Sequence, residues 1–196
     1  MLCQILSPHA INFWCSTVCP KPIISSNATK MKNTISLLVL QIAFSSIFFP
    51  SALGDNTLIQ TTCNKTPDSN LCTKVLQSDP RSSSATDVQG LAIIVAERLG
   101  KDATTTLQQI TSLGKTNPQY KTCLESYNIV KIDIQVILEG VSKGNPKFAE
   151  QSASDVATEA DTCGKSIQSL KSDVGDKNKF VHDLALVVVA IVRLLE

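Results

Sequence analysis

Residues 85–115 read ATDVQGLAIIVAERLGKDATTTLQQITSLGK. The apolar residues Val88, Leu91, Ala92, Val95, Leu99, Ala103, Leu107, Ile110 and Leu113 recur there in steps of three and four, which puts them on one face of a long helix. Ser84 or Thr86 is expected to cap its start. Gly114 and Asn117-Pro118 supply the stop, because proline cannot continue a helix without losing a hydrogen bond. Gly90 and Gly100 weaken it locally.

The same period continues downstream. A second helix opens at Pro118 and carries Cys123, Tyr127, Val130, Ile134, Ile137 or Leu138, and Val141 up to the Ser142-Lys143-Gly144-Asn145 loop. Pro146 opens a third, with Phe148 or Ala149, Ala153, Val156, Ala157, Ala160, Cys163, Ile167 and Leu170 on its apolar face. After Gly175-Asp176 a fourth runs from Lys177 to Leu195 with Phe180, Leu184, Val187, Val188, Ile191, Leu194 and Leu195. Short connections favour antiparallel neighbours, so the expected fold is all-α, an up-down-up-down four-helix bundle over residues 84–196. Leu184 to Leu195 is nearly all apolar, but Arg193 within it and Glu196 after it favour a buried core helix over a lipid-anchor signal.

Ahead of the bundle, residues 55–80 hold two short apolar pieces, Leu58-Ile59 and Leu71 to Leu76, around the turn Asn64-Lys65-Thr66-Pro67-Asp68. Neither is long enough to be a stable helix alone. Further upstream, residues 31–54 read MKNTISLLVLQIAFSSIFFPSALG. Lys32, an apolar run from Ile35 to Phe49 and a small-residue end are the features of a secretory signal peptide, with cleavage after Gly54. The run is too short to span the roughly 30 Å hydrocarbon core of a bilayer. Residues 1–30 contain no acidic residue and no steady period, and they are expected to be a non-structural extension, with Met31 a candidate start. Cys3, Cys15 and Cys19 within it supply only two spacings, a weak metal-ligand pattern.

The 196 residues carry seven Cys and a formal charge of +1, and 43% are hydrophobic but only 5% aromatic. Those averages describe two unlike segments. Residues 55–196 contain every acidic residue, and their 15 basic against 17 acidic side chains give −2, which argues against a nucleic-acid binder. Four Cys fall in them, Cys63, Cys72, Cys123 and Cys163, an even number in a chain addressed to an oxidising compartment. Spacing alone does not choose among the three pairings of two disulfides. Pro67-Asp68 can reverse the chain so that Cys63–Cys72 ties the hairpin, which leaves Cys123–Cys163 between the second and third bundle helices. In the chain-entropy picture the two bridges contribute roughly 3 and 4 kcal/mol.

Catalytic chemistry is scarce. His182 is the one His after residue 54, and beside Asp183 it reads as a solvated helix residue rather than a base. No glycine-rich phosphate loop and no metal-spaced His/Cys cluster occurs, so no cofactor or metal is expected. A secreted, disulfide-stapled bundle without a reactive group points to a binding or inhibitory module. Asn64-Lys65-Thr66 is an N-glycosylation sequon, as is Asn27-Ala28-Thr29 in the extension.

The order of these features, with the runs Thr62-Cys63 through Leu71-Cys72, Tyr120-Lys121-Thr122-Cys123-Leu124-Glu125-Ser126-Tyr127 and Thr158-Glu159-Ala160-Asp161-Thr162-Cys163, closely resembles the plant invertase and pectin methylesterase inhibitor family. The resemblance implies a proteinaceous inhibitor rather than an enzyme, and the bridges Cys63–Cys72 and Cys123–Cys163. Members resembling the invertase inhibitors carry Pro-Lys-Phe between the second and third bundle helices, where this chain has Pro146-Lys147-Phe148. The implied partner is a cell-wall or vacuolar acid invertase, with pectin methylesterase the alternative. The implied state is a monomer in a one-to-one complex, secreted to the apoplast or delivered to the vacuole. Acid glycosidases work with paired carboxylates, so a lysine beside an apolar anchor suits their cleft. Plain helix punctuation, with Pro146 in the first turn, Lys147 solvated and Phe148 in the core, is the competing account of the tripeptide.

Overall fold

The computed structural model describes residues 53–170 and 172–196, with side chains from residue 57 onward. The expected extension (1–30), with Cys3, Cys15, Cys19 and Asn27, and all but the last two residues of the expected signal peptide (31–54) lie outside the described residues. Among the described residues there are six α-helices and no strand: α1 (Leu53–Cys63), α2 (Ser69–Gln77), α3 (Val88–Gly114), α4 (Lys121–Ser142), α5 (Pro146–Ser166) and α6 (Val174–Val192).

The hairpin α1–α2 is closed by the Cys63–Cys72 disulfide. Asp68 starts α2 by accepting the Leu71 N–H at 2.9 Å, and Ile59, Thr62, Val75 and Leu76 are buried. A 3-10 turn, Pro80–Ser84, leads to α3. The Arg81 guanidinium pairs there with Asp79 at 2.7 Å and with Glu97 of α3 at 2.6 Å, and its hydrogen bonds hold the Asp79 carboxyl down at about 2.

Helix ends differ from the sequence expectation for local reasons. The cap of α3 is Asp87, whose carboxylate takes the Gly90 N–H at 2.8 Å, not Ser84 or Thr86. Ser84 is used in the 3-10 turn, where its hydroxyl donates to the Arg81 carbonyl, and a carboxylate also suits the positive end of a helix. Pro118 opens a 3-10 turn, Pro118–Tyr120, capped by Asn117, and α4 proper starts at Lys121. α5 stops at Ser166 rather than Leu170: the Ser166 hydroxyl donates to the Cys163 carbonyl at 2.8 Å, a local bond that competes with helix continuation. α6 begins at Val174, three residues earlier than Lys177, because buried Val174 anchors its first turn. Val181 rather than Phe180 takes the core position two turns on.

Four contacts fix the directions of the bundle. Gln89 at the start of α3 donates to the Val141 carbonyl at the end of α4 (2.8 Å). Cys123 near the start of α4 bonds Cys163 near the end of α5. Glu150 at the start of α5 pairs with Arg193 beyond the end of α6 (2.6 Å), and Lys177 at the start of α6 donates to Gln109 near the end of α3 (2.5 Å). Each neighbouring pair is therefore antiparallel, and the helices close a ring in the order α3, α4, α5, α6. At 1.5 Å per residue the 27-residue α3 is about 40 Å long.

Aliphatic side chains fill the ring, with Leu91, Leu99, Ile110, Val130, Ile137, Val156, Leu184 and Ile191 among the fully buried ones. Leu184 to Val192 lies in this core, as expected of a buried terminal helix. One polar network crosses it. The Tyr127 hydroxyl of α4 donates to the Asn178 side-chain oxygen of α6 (3.0 Å), and the Asn178 amide donates to the Ala160 carbonyl of α5 (2.8 Å). Thr106 of α3 lies against Tyr127, whose hydroxyl is pushed up by burial and eased back by Thr106. α5 lies close on α4 near the turn, where Ala149 faces Gly140 with only a methyl group. A Cβ at Gly140 would sit 3.0 Å from the Ala149 Cβ.

Candidate functional site

The turn between α4 and α5 is closed by backbone hydrogen bonds, and the Gln89 side chain of α3 also donates to its Val141 carbonyl. Asn145 N–H bonds the Gly140 carbonyl at 2.7 Å and Gly144 N–H the Val141 carbonyl at 3.4 Å, the paired bonds of a Schellman motif. Gly144 takes the left-handed conformation this motif requires, with φ 71°. Pro146 follows as the first residue of α5, its fixed φ suited to a helix start and its missing N–H no loss there. The core face of α5 begins at Ala149, which is fully buried, so Lys147 and Phe148 fall outside it.

That settles where the tripeptide side chains lie. Phe148 is 68% exposed, and it is Ala149, not Phe148, that enters the core. Lys147 is exposed and has no ion pair among the described residues; Glu150, the nearest acidic residue in sequence, is engaged by Arg193. Both choices work against local stability. A cation in the first turn opposes the helix dipole, and a Phe left in water forgoes roughly 1.5 to 3 kcal/mol of burial. Departures of this kind from local rules are expected where a surface serves recognition.

A second feature escaped the sequence reading. Ile129, Ile132 and Val136 of α4 are 45%, 65% and 36% exposed, and with Phe148 they are the large exposed hydrophobics among the described residues. Spaced by three and four, they share one flank of the helix. Asp133 sits among them, facing Ser152, Asp155 and Glu159 of α5. Burial first, then the charges of Asp155 and Glu159, push its carboxyl up, and Oδ2 is buried without a hydrogen-bond partner. The stripe therefore runs along the flank of α4 that turns toward α5. The sequence signal was present as apolar residues left over once the core face of α4 had been assigned.

The remaining candidates are dispersed. His182 of α6 is half-buried, with Nδ1 2.9 Å from the Asp183 carboxylate, and Lys179 shares that carboxylate. Hydrogen bonds from Lys179 and His182 hold the Asp183 carboxyl down against the opposing effect of burial, which is the largest single influence. Asn64 is exposed one residue after Cys63, so its side chain is open to modification. Among the described residues no group of three or more His, Cys, Asp or Glu is placed to hold a metal ion. No helix among them is long and apolar enough to cross a membrane.

A stapled bundle that keeps a lysine, a phenyl ring and an aliphatic stripe in water while its polar network is spent on the core has the make-up of a protein that acts by contact with another. Residues 57–191 match the family described as Plant invertase/pectin methylesterase inhibitor, and the chain belongs to that family, one of inhibitor proteins rather than enzymes. It is 40% identical over 116 residues to the cell wall / vacuolar inhibitor of fructosidase 1 of Arabidopsis thaliana, a match covering 57% of this chain and only 56% of that protein. It is 28% identical over 155 residues to a pectinesterase inhibitor of Actinidia deliciosa, covering 74% of this chain and 83% of the relative. Among solved structures it resembles a mutant form of a pectin methylesterase inhibitor from Arabidopsis, with TM-score 0.62 and 23% identity over 70% of this chain and 97% of that one. A second such inhibitor from Arabidopsis thaliana gives 0.55 at 22% identity, over 72% and 98%. At those identities the likeness speaks for the fold alone.

Proposed function

We propose that this protein, once its leader is removed, binds a plant acid invertase of the cell wall or vacuole and blocks the sucrose cleft with the turn bearing Pro146, Lys147 and Phe148. The observation that carries the reading is the exposure of Lys147 and Phe148 side by side on a turn fixed by the Gly140–Asn145 bond. Likeness to an inhibitor of fructosidase adds to it. In this reading the ammonium group meets the carboxylates of the glycosidase cleft, the ring supplies an apolar anchor, and the rigid turn keeps the entropy cost of binding low. The complex is one to one, and its site of action is the apoplast or the vacuole, as the relative's name indicates for that protein.

The aliphatic stripe Ile129, Ile132 and Val136 favours a second reading, in which the helix face itself docks on pectin methylesterase. Likeness to a pectinesterase inhibitor goes with it. One experiment separates the two: disulfide-bonded protein is titrated in parallel into purified acid invertase and purified pectin methylesterase at about pH 5, where carboxylates are largely ionised. Inhibition of invertase alone is the expected result. Full invertase activity at saturating protein overturns the first reading, and inhibition of pectin methylesterase in the same series establishes the second.

A further inference from the structure

On the other flank of α4, away from the aliphatic stripe, α3 and α4 part to leave a cavity of about 380 Å³. Ala103, Leu107, Tyr127, Val130, Lys131 and Ile134 line it. A neighbouring depression of about 420 Å³ shares Thr104, Gln108, Lys131 and Ile134 with it and adds Lys101, so the two form one groove. The opening has a packing cause. Gly100 lets Ile134 approach so closely that a Cβ there would lie 3.0 Å from its Cγ2, while Ala103, one turn on, offers only a methyl group to fill the space beyond.

Charge in the groove is one-sided. No carboxylate lines the 380 Å³ cavity, and Glu97, at the edge of the second depression, is held by Arg81 at 2.6 Å. Lys101 and Lys131 have no ion pair among the described residues, in a segment whose formal charge is otherwise acidic. We infer that this groove binds a small single-headed anionic amphiphile, a medium-chain carboxylate, whose apolar chain lies over Leu107 and the accessible edges of Ala103 and Ile134 while Lys101 and Lys131 take the head. The volume falls in the range of small-molecule sites, about 300 to 1,000 Å³, and the walls have the mainly apolar character with few convergent polar groups that such sites share. A polyanion does not suit apolar walls, and a neutral lipid leaves the two ammonium groups unused. The site is independent of the inhibitory reading, since it uses the opposite side of α4.

Calorimetric titration of the full disulfide-bonded chain with decanoate, and with decan-1-ol as the uncharged counterpart, tests it, with amide chemical-shift mapping to locate the bound ligand. The expected result is saturable binding of one decanoate per chain, at least tenfold tighter than the alcohol, with shifts centred on Thr104 and Lys131. The double variant Lys101→Ala/Lys131→Ala changes two exposed side chains, leaves the fold intact by circular dichroism and weakens decanoate at least tenfold. Thr104→Leu fills the mouth of the groove from an exposed position and abolishes binding. Absence of saturation by about 1 mM, a constant with only some 4 kcal/mol behind it, overturns the proposal. So does equal affinity for the alcohol, binding that survives both variants, or concentration-dependent association of the chain that Thr104→Leu removes, which identifies a second copy as the occupant.

Discussion

Lys147 occupies the second position of α5, where the positive end of the helix repels a cation and no carboxylate of the first turn compensates. Its replacement by alanine is therefore neutral or stabilising by about 0.3 to 1 kcal/mol in urea unfolding. In the proposed complex the same change strands the partner's carboxylates and weakens inhibition by about 2 to 5 kcal/mol. Phe148→Ala separates the two measurements in the same sense, because a side chain already 68% exposed contributes within about 0.5 kcal/mol to folding and far more if it is an anchor. Parallel losses of stability and inhibition in either variant would count against the contact role. Asp133 gives a pH prediction. Its carboxyl is raised above the ordinary 3.8, so the native state holds a proton that the unfolded chain has released. The stability linked to Asp133 is fully present below 3.8 and is lost as pH climbs through the raised native value. Asp79 acts oppositely, its contribution fading as pH falls from 3.8 through about 2. Asp133→Asn should thus flatten the decline in stability that sets in as pH rises above 3.8, measured by urea midpoints; an unchanged slope would show that Asp133 is not its source.

The pair α4–α5 shows how an element becomes a platform. Gly140 and the Ala149 methyl allow close approach, and the Schellman turn then leaves the next two side chains no route to the core. Gly140→Ala places a methyl 3.0 Å from Ala149 Cβ, Ala149 N and the Asn145 carbonyl. It should cost about 1 to 3 kcal/mol and impair inhibition more than its position outside the contact would indicate, because the turn must shift. Tyr127→Phe tests the buried network: the Asn178 oxygen loses its donor, and urea unfolding should register a loss of about 1 to 3 kcal/mol. Much of this architecture is legible in sequence. The core positions Leu91, Val95, Leu99, Val130, Ile137, Val156 and Leu184 follow from a 3.6-residue period, and Pro146 with Gly144 marks the turn. Boundaries are less legible: the sequence offers Ser84 or Thr86 as the cap of α3, but the 3-10 turn claims Ser84 and Asp87 takes the role. The stripe on α4 and the network around Asn178 escape for a different reason. Whether Ile132 is covered, or Asn178 bonded, depends on the neighbouring helix, and a single helix's pattern does not encode that.

For the molecule as a whole, the two disulfides brace different parts of one bundle. Cys63–Cys72 closes the hairpin α1–α2, whose second helix packs on α3 and α6, whereas Cys123–Cys163 joins α4 to α5, the helices that carry the proposed contact surface. Loop length separates their energetic weight: a separation of 9 residues gives roughly 3 kcal/mol and one of 40 about 4 kcal/mol in the chain-entropy picture. Against the usual 5 to 15 kcal/mol of a domain, loss of either is large, and loss of both leaves a small domain near its unfolding threshold. Function divides them further. Cys63→Ala/Cys72→Ala should lower the urea midpoint yet leave inhibition by the folded fraction intact, because in the proposed complex the contact comes from the α4–α5 pair and not from α1 and α2. Cys123→Ala/Cys163→Ala should lower the midpoint more and also weaken inhibition, because it frees the start of α4 from the end of α5 and lets the turn at the other end of that pair move. The measurement is inhibition under conditions where circular dichroism shows each variant still helical. A hairpin variant that stays folded but no longer inhibits would move the contact surface from the α4–α5 pair to the α1–α2 hairpin.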